Sequence, residues 1–231
     1  MKKVILASVL AAGVLAFAAD SKDSGSDAIK RISEAQTVFQ EIMTAGETSI
    51  PRDLLERAHC VAIIPGMKKG AFILGAKYGK GVLMCRKPGS GWSGPGTIKI
   101  EGGSVGLQIG GGEVDVVLLV MNERGAQSVV NSEFKVGGSA SVMAGPVGRS
   151  AAAETDALMR AEMLGYSRSR GVFAGISLDG STIREDSEDN QKIYGKPLTN
   201  QQILFGGTPV PAVAQPLVAT LNQYSATEKK K

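Results

Sequence analysis

The chain has 231 residues, 43% of them hydrophobic, with 26 Lys and Arg against 22 Asp and Glu and a formal charge of +4. That length suits one good-sized domain. So small a basic excess argues against a dedicated nucleic-acid binder, and one His with two Cys falls short of a standard zinc set.

The first 18 residues have the form of a signal peptide cleaved after Ala18. Lys2 and Lys3 precede an apolar run, Val4 to Leu15, and Ala16-Phe17-Ala18 supplies the small residues. The run is shorter than the roughly 20 residues that span a membrane, and no Cys follows it to accept a lipid. The reading is an exported protein, periplasmic or secreted, with no transmembrane span in the mature chain. Residues 19–27 are small and polar and read as a flexible linker.

From Ala28 the pattern is helical. Ile29, Ile32, Gln36, Phe39 and Met43 recur at helical intervals, Val38 and Ile42 widen the stripe, Ser26 suits an N-cap and Gly46 a terminator. A second short helix takes Pro51 in its first turn and turns Leu54, Leu55 and Ala58 inward.

After Cys60 the texture changes. Of 30 glycines, 24 fall between Gly66 and Gly180, where they divide short apolar runs such as "CVAIIP", "GVLMCR", "TIKIEGG", "VDVVLLV" and "GVFAGISL". Such runs read as strands, and glycines within them mark bulges and bends of the kind that strongly coiled sheets need. The expected fold is α+β: a glycine-rich, mainly antiparallel, strongly bent or barrel-like sheet with N-terminal helices packed on it. "RSAAAETDALMRAEML" stays open between helix and strand. "TNQQILFG" reads as a short helix and "PAVAQPLVATLNQYS" as a last helical or irregular segment. The domain is expected over 28–205, with 206–231 a C-terminal segment ending in the basic tail Lys229, Lys230 and Lys231.

Two stretches imitate catalytic motifs. Gly102-Gly103-Ser104-Val105-Gly106 matches G-x-S-x-G, but that elbow needs a later His, and the only one, His59, precedes it. Gly110-Gly111-Gly112 lacks the lysine of a phosphate loop and leads into a β-type run. A serine hydrolase is thus a remote alternative. Asp115 interrupts an apolar strand, so it faces outward or finds a partner such as Arg149 or backbone amides. Trp92 reads as a core anchor. The acidic cluster Asp179, Glu185, Asp186, Glu188 and Asp189 lacks calcium-loop spacing and reads as a solvated turn. No metal or cofactor is implied.

Cys60 and Cys85 are a disulfide candidate if the compartment is oxidising and the geometry allows. Between Glu56 and Glu101 the chain has no acidic residue but carries Arg57, Lys68, Lys69, Lys77, Lys80, Arg86, Lys87 and Lys99. If these share one face, they form a cationic surface for anionic headgroups; if they scatter over several strands, they do not.

Five stretches in order, "IPRDLLERAHCVAIIPGMKKGAFILGAKYGKGVLMCR", "GWSGPGTIKIEGGSVGLQIGGG", "DVVLLVMN", "AGPVGR" and "YSRSRGVFAGISLDGSTIREDSEDNQKIYG", make residues 50–195 resemble the SYLF-domain family, also described as the lipid-binding, actin-associated domain. The resemblance implies a non-enzymatic module for phosphoinositides or other anionic lipids and, in some eukaryotic members, actin. It ties lipid binding to an N-terminal amphipathic helix and basic residues. The matching candidates are Lys30 and Arg31 on the first helix and Lys68, Lys69, Lys77 and Lys80 in the sheet, with Arg86 and Lys87 from the same basic window. The expected partner is anionic membrane lipid, and the alternative is an envelope protein.

Overall fold

The computed structural model describes residues 21–71, 74–87, 89, 91–105, 110–130, 133–136, 142–146, 161–169, 172–175, 178 and 180–225. Helix α1 (Ser21–Met43), a 3-10 turn (Gly46–Thr48) and α2 (Arg52–Arg57) lead into four strands, β1 (Cys60–Ala71), β2 (Leu74–Cys85), β3 (Gly96–Val105) and β4 (Gly110–Val120). Helix α3 (Glu123–Val130) follows, then β5 (Glu133–Lys135), β6 (Val142–Ala144), β7 (Met163–Ser169), β8 (Val172–Gly175) and β9 (Ser181–Glu185). The described chain ends in α4 (Ser187–Tyr194), α5 (Asn200–Leu204), a 3-10 turn (Ala212–Ala214) and α6 (Gln215–Tyr224).

The strands form one strongly curled sheet in the order β5-β9-β3-β2-β1-β4-β7-β6, with β8 on β7. Among the described residues every pairing is antiparallel except β6 with β7. The expected α+β class, bent antiparallel sheet and packed helices are all present.

Strand alternation divides the core in two. Val61, Ile63, Val82, Met84, Val117 and Leu119 point to a first face and are covered by Ile32, Phe39 and Ile42 of α1, Leu54 and Leu55 of α2, and Leu217 and Leu221 of α6. Cys60, Ala62, Ile64, Leu83, Ile98 and Val116 point to the second face, closed by Ala126 and Val129 of α3 and Ile203 and Leu204 of α5. Both faces of the central strands are buried, which explains their near-continuous apolar runs.

A bulge in β1 breaks this alternation. Register shifts between Ile63 and Lys68 against β2 and between Ile64 and Met67 against β4. Gly66 takes φ +56°, a conformation costly for a residue with a Cβ. Its N–H donates to Asp115 Oδ1 at 2.9 Å, while Arg168 of β7 donates to Asp115 Oδ2 from Nη2 at 2.7 Å and Nε at 3.0 Å. Arg168 also pairs with Glu41 of α1. The strand carboxylate is therefore fully partnered, and it pins the bulge; Arg149 lies outside the described residues. Beneath the bulge, a Cβ on Gly81 would sit 2.3 Å from the Ile63 carbonyl oxygen.

Three expectations change. Helix α1 begins at Ser21, so 21–27 is helical rather than a linker, and Ser26 lies inside the helix. Its inward stripe uses Ala28 and Ala35, and Ile29 is 44% exposed. The domain also runs past 205: Ala214, Leu217 and Leu221 are fully buried in the first-face core, and Trp92 Nε1 donates to Ser225 Oγ at 2.9 Å. Trp92 is a core anchor, as expected. The strand alternative holds for the last residues of the ambiguous segment, since Met163 and Leu164 lie in β7; its residues 149–160 lie outside the described ones.

Candidate functional site

The eight basic residues of the acid-free window do not share one face. Alternation sends Lys68, Lys80 and Lys99 to the first face, with Lys68 opposite Tyr78 and Lys80 opposite Lys99. Lys69 and Lys77, which oppose each other, go to the second. Arg57, Arg86 and Lys87 lie at the other end of the strands, beside Cys60 and Cys85.

Three of the candidates are committed inside the fold. Arg31 Nη1 lies 2.7 Å and Lys80 Nζ 3.1 Å from Asp189 Oδ2, Lys192 Nζ is 3.0 Å from Asp189 Oδ1, and Lys80 Nζ is also 2.7 Å from Asp186 Oδ2. Asp186 and Asp189 are buried, so these two are not part of a solvated turn; they tie α4 to α1 and β2. Burial alone would raise the Asp189 carboxyl, but hydrogen bonds from Lys192 and Lys80 and the charges of Lys80 and Arg31 outweigh it and hold the group below the usual range. Burial pulls Lys80 down, and its two carboxylates more than restore it, leaving it raised. Asp179 lies outside the described residues, which contain no metal-binding cluster of His, Cys, Asp and Glu.

Arg86 is the third. Its Nε donates to Ala58 O at 3.0 Å, its Nη2 to Leu55 O at 3.0 Å and Ser225 O at 3.4 Å, and its guanidinium stacks 4.5 Å from the Trp92 ring centre. It clasps the end of α2 and the end of α6 to the sheet. Burial lowers its pKa, partly countered by Glu56.

The far end of the sheet extends beyond the bulge and the core. Along one row of the second face stand Gly112, Lys69, Lys77 and Gly102. The glycines on either side leave the two lysines as the only side chains across four strands. On the first face Lys68 stands between Glu113 and Tyr78, and Tyr78 is 45% exposed. Lys30 is exposed on α1 and pairs with Glu34.

The opposite end holds a cleft of about 730 Å³, lined by Arg57, Ala58, His59, Cys60, Arg86, Lys87, Glu123, Ala126, Gln127, Gln201 and Phe205. Cys60 and Cys85 face each other across β1 and β2 and are bonded as a disulfide, so Cys60 offers no thiol to the neighbouring His59. Ser104 pairs with Gly75 at the lysine end of the sheet, far from His59. Sequence reading missed this cleft: it found Arg86 and Lys87, but Phe205 and the α3 residues come from segments with no motif to signal them.

A family model described as Ysc84, Las17-binding protein actin regulator, matches residues 101–224, more than half the chain. The chain belongs to the Ysc84, or SYLF, family. Protein YSC84 of Saccharomyces cerevisiae is 39% identical over 177 residues, which cover 74% of this chain and 37% of that protein. The rat SH3 domain-containing YSC84-like protein 1 is 33% identical over 203 residues, 87% of this chain and 59% of its own length. The yeast LAS seventeen-binding protein 3 is 39% identical over 177 residues, 74% and 38% respectively. The chain thus spans between about a third and three fifths of these relatives. The Ysc84 match runs to the end of α6, in agreement with a domain that includes it. No helix among the described residues is long and apolar enough to cross a membrane.

Proposed function

We propose that this chain is a non-enzymatic module of the cell envelope that docks on anionic phospholipid headgroups through the end of the sheet beyond the bulge. The observation that carries the reading is Lys69 directly opposite Lys77 with glycine on both flanks. Each well-placed Lys near an anionic surface contributes about 1 kcal/mol. Lys68 stands beside Glu113 and Lys30 pairs with Glu34, so the lysine pair carries the reading. Arg31, Lys80 and Arg86 support the fold instead. Export rests on the leader-like residues 1–18 and is supported by the Cys60–Cys85 bond, which suits an oxidising compartment. The separation of Ser104 from His59, and relatives described as binding proteins and regulators, support a non-enzyme.

Co-sedimentation with vesicles of rising acidic-lipid content tests the reading. Binding should climb with acidic lipid and fall with salt, because exposed charges are screened; binding indifferent to both would refute it. A second reading, docking on an envelope protein, draws on the binding partners in the relatives' names. Capture of one partner from envelope extract, with no vesicle binding, would favour it.

A further inference from the structure

We propose that the four strand ends around Lys69 and Lys77 form a tongue that enters the interface of an anionic bilayer instead of resting on its surface. This inference deepens the docking reading above and rests on it.

The tongue is defined by where the neighbouring strands stop. β7 pairs with β4 only over residues 115–120, and β9 with β3 only over residues 98–102. β1 to β4 stay paired with one another beyond those points, out to Ala71 opposite Gly110 and Leu74 opposite Val105. Among the described residues no further strand flanks 110–114 of β4 or 103–105 of β3. Nor does a described atom come within 4 Å of a Cβ built on Gly70, on the first face, or on Gly112, on the second. Both faces of this end are open to an outside surface.

Its charges are confined to the base. Glu113, Lys68, Tyr78 and Glu101 stand in one row across the first face, and Lys69 and Lys77 lie one residue further out on the second. From Gly70 to Ala76 and from Gly102 to Gly112 the sequence has no charged residue. An uncharged end behind a ring of lysines is the order that a membrane interface calls for. Lysines keep their ammonium groups at the phosphates while their stems lie along apolar surface. Tyr78, 45% exposed in the same ring, has the amphipathic side chain that settles where apolar and wet regions meet.

The depth follows from the strand rise. Ala71 lies two residues beyond Lys69, about 7 Å at roughly 3.4 Å each, within the roughly 5–10 Å to which interfacial helices sink. β1 and β2 have strand partners on both sides, so their backbone groups enter already bonded. The outer edges of β3 and β4 lack that cover, which keeps the tongue out of the hydrocarbon core, where an unpaired backbone group costs several kcal/mol. It stops at the interface.

Tryptophan fluorescence of the full chain on phosphatidylglycerol vesicles, with and without bromine high on the acyl chains, reads the depth. Trp92 is the only native Trp and is buried, so added emission belongs to the introduced ring. Tyr78→Trp keeps an aromatic group where one is already exposed, Ala76→Trp lies two residues nearer the tip, and Lys87→Trp marks the opposite end of the sheet. On brominated vesicles Ala76→Trp should lose most of its added emission, and on plain ones it should shift to the blue and become shielded from acrylamide. Tyr78→Trp should lose a smaller part, and Lys87→Trp none. Co-sedimentation of the same samples separates the two readings. Bound protein with no quenching at 76 or 78 overturns insertion and leaves surface docking standing. Quenching as strong at 87 also overturns it, because any added ring would then seek lipid. A wild-type chain that does not sediment removes the docking reading and the tongue with it.

Discussion

Replacing Asp189 with Asn tests whether the charge network between α4, α1 and β2 holds the fold together. The carboxylate side chain is 3% exposed and faces Arg31 at 2.7 Å, Lys192 at 3.0 Å and Lys80 at 3.1 Å. Breaking a buried pair from one side costs about 3–5 kcal/mol, because the partner charges stay behind. Here the stranded cations are 16%, 27% and 27% exposed, and Lys80 keeps Asp186 at 2.7 Å. The loss therefore belongs at the low end, about 3 kcal/mol, or a Tm lower by about 6–12 °C for a domain of this size. Urea unfolding at pH 7 reads it directly, and a double-mutant cycle with Arg31→Met isolates the pairwise share. The pH dependence has a definite sign. Asp189 titrates below the ordinary Asp value in the folded protein, so its contribution is complete above about pH 4. It is lost as pH falls through the depressed value, and the gap between wild type and Asp189→Asn closes there. A cost under about 1 kcal/mol with no coupling to Arg31, the level of a surface pair, would refute the reasoning.

Three further variants probe the frame. Cys60→Ser/Cys85→Ser opens a link between residues 25 apart and should lower stability by about 3.5 kcal/mol on the chain-entropy estimate; a denaturant midpoint matching wild type would count against it. Gly81→Ala drives a Cβ to 2.3 Å from the Ile63 carbonyl oxygen, and the backbone of β1 cannot yield as a side chain would. It should cost about 3 kcal/mol, whereas a neutral result in thermal unfolding would mean that the bulge is not held where the structure has it. Trp92→Phe removes the bond to Ser225 and weakens the stacking of Arg86. Expected are a loss of about 1–2 kcal/mol and faster hydrogen exchange in α6; unchanged exchange would sever α6 from that anchor.

Much of the sheet was legible because each apolar run is bounded by turn residues and carries its own period. Leu54, Leu55 and Ala58 were readable for the same local reason. The cationic surface was not, because the bulge at Pro65 and Gly66 shifts the phase of β1: Ile64 and Met67, three apart, share the second face, so counting alternate residues from Cys60 places Lys68 and Lys69 on the wrong sides. Asp186 and Asp189 look solvated among acidic neighbours; Asp186 is paired with Lys80 and Asp189 with Lys80 and with Arg31, 158 residues away, and no local window contains those pairings. Ile29 outranks Ala28 in hydrophobicity, yet α1 buries the alanines at 28 and 35 and leaves Ile29 exposed. Prolines 209 and 211 make residues after 205 resemble a tail, although α6 completes the first-face core.

The most direct test of the docking account compares the two ends of the sheet on vesicles rich in phosphatidylglycerol. Lys69→Ala/Lys77→Ala should weaken binding by about 2 kcal/mol, or about 30-fold, and flatten its salt dependence. Lys87→Glu, at the opposite end, should bind as wild type does. Equal losses from both variants, or no loss from the lysine pair, would contradict the account.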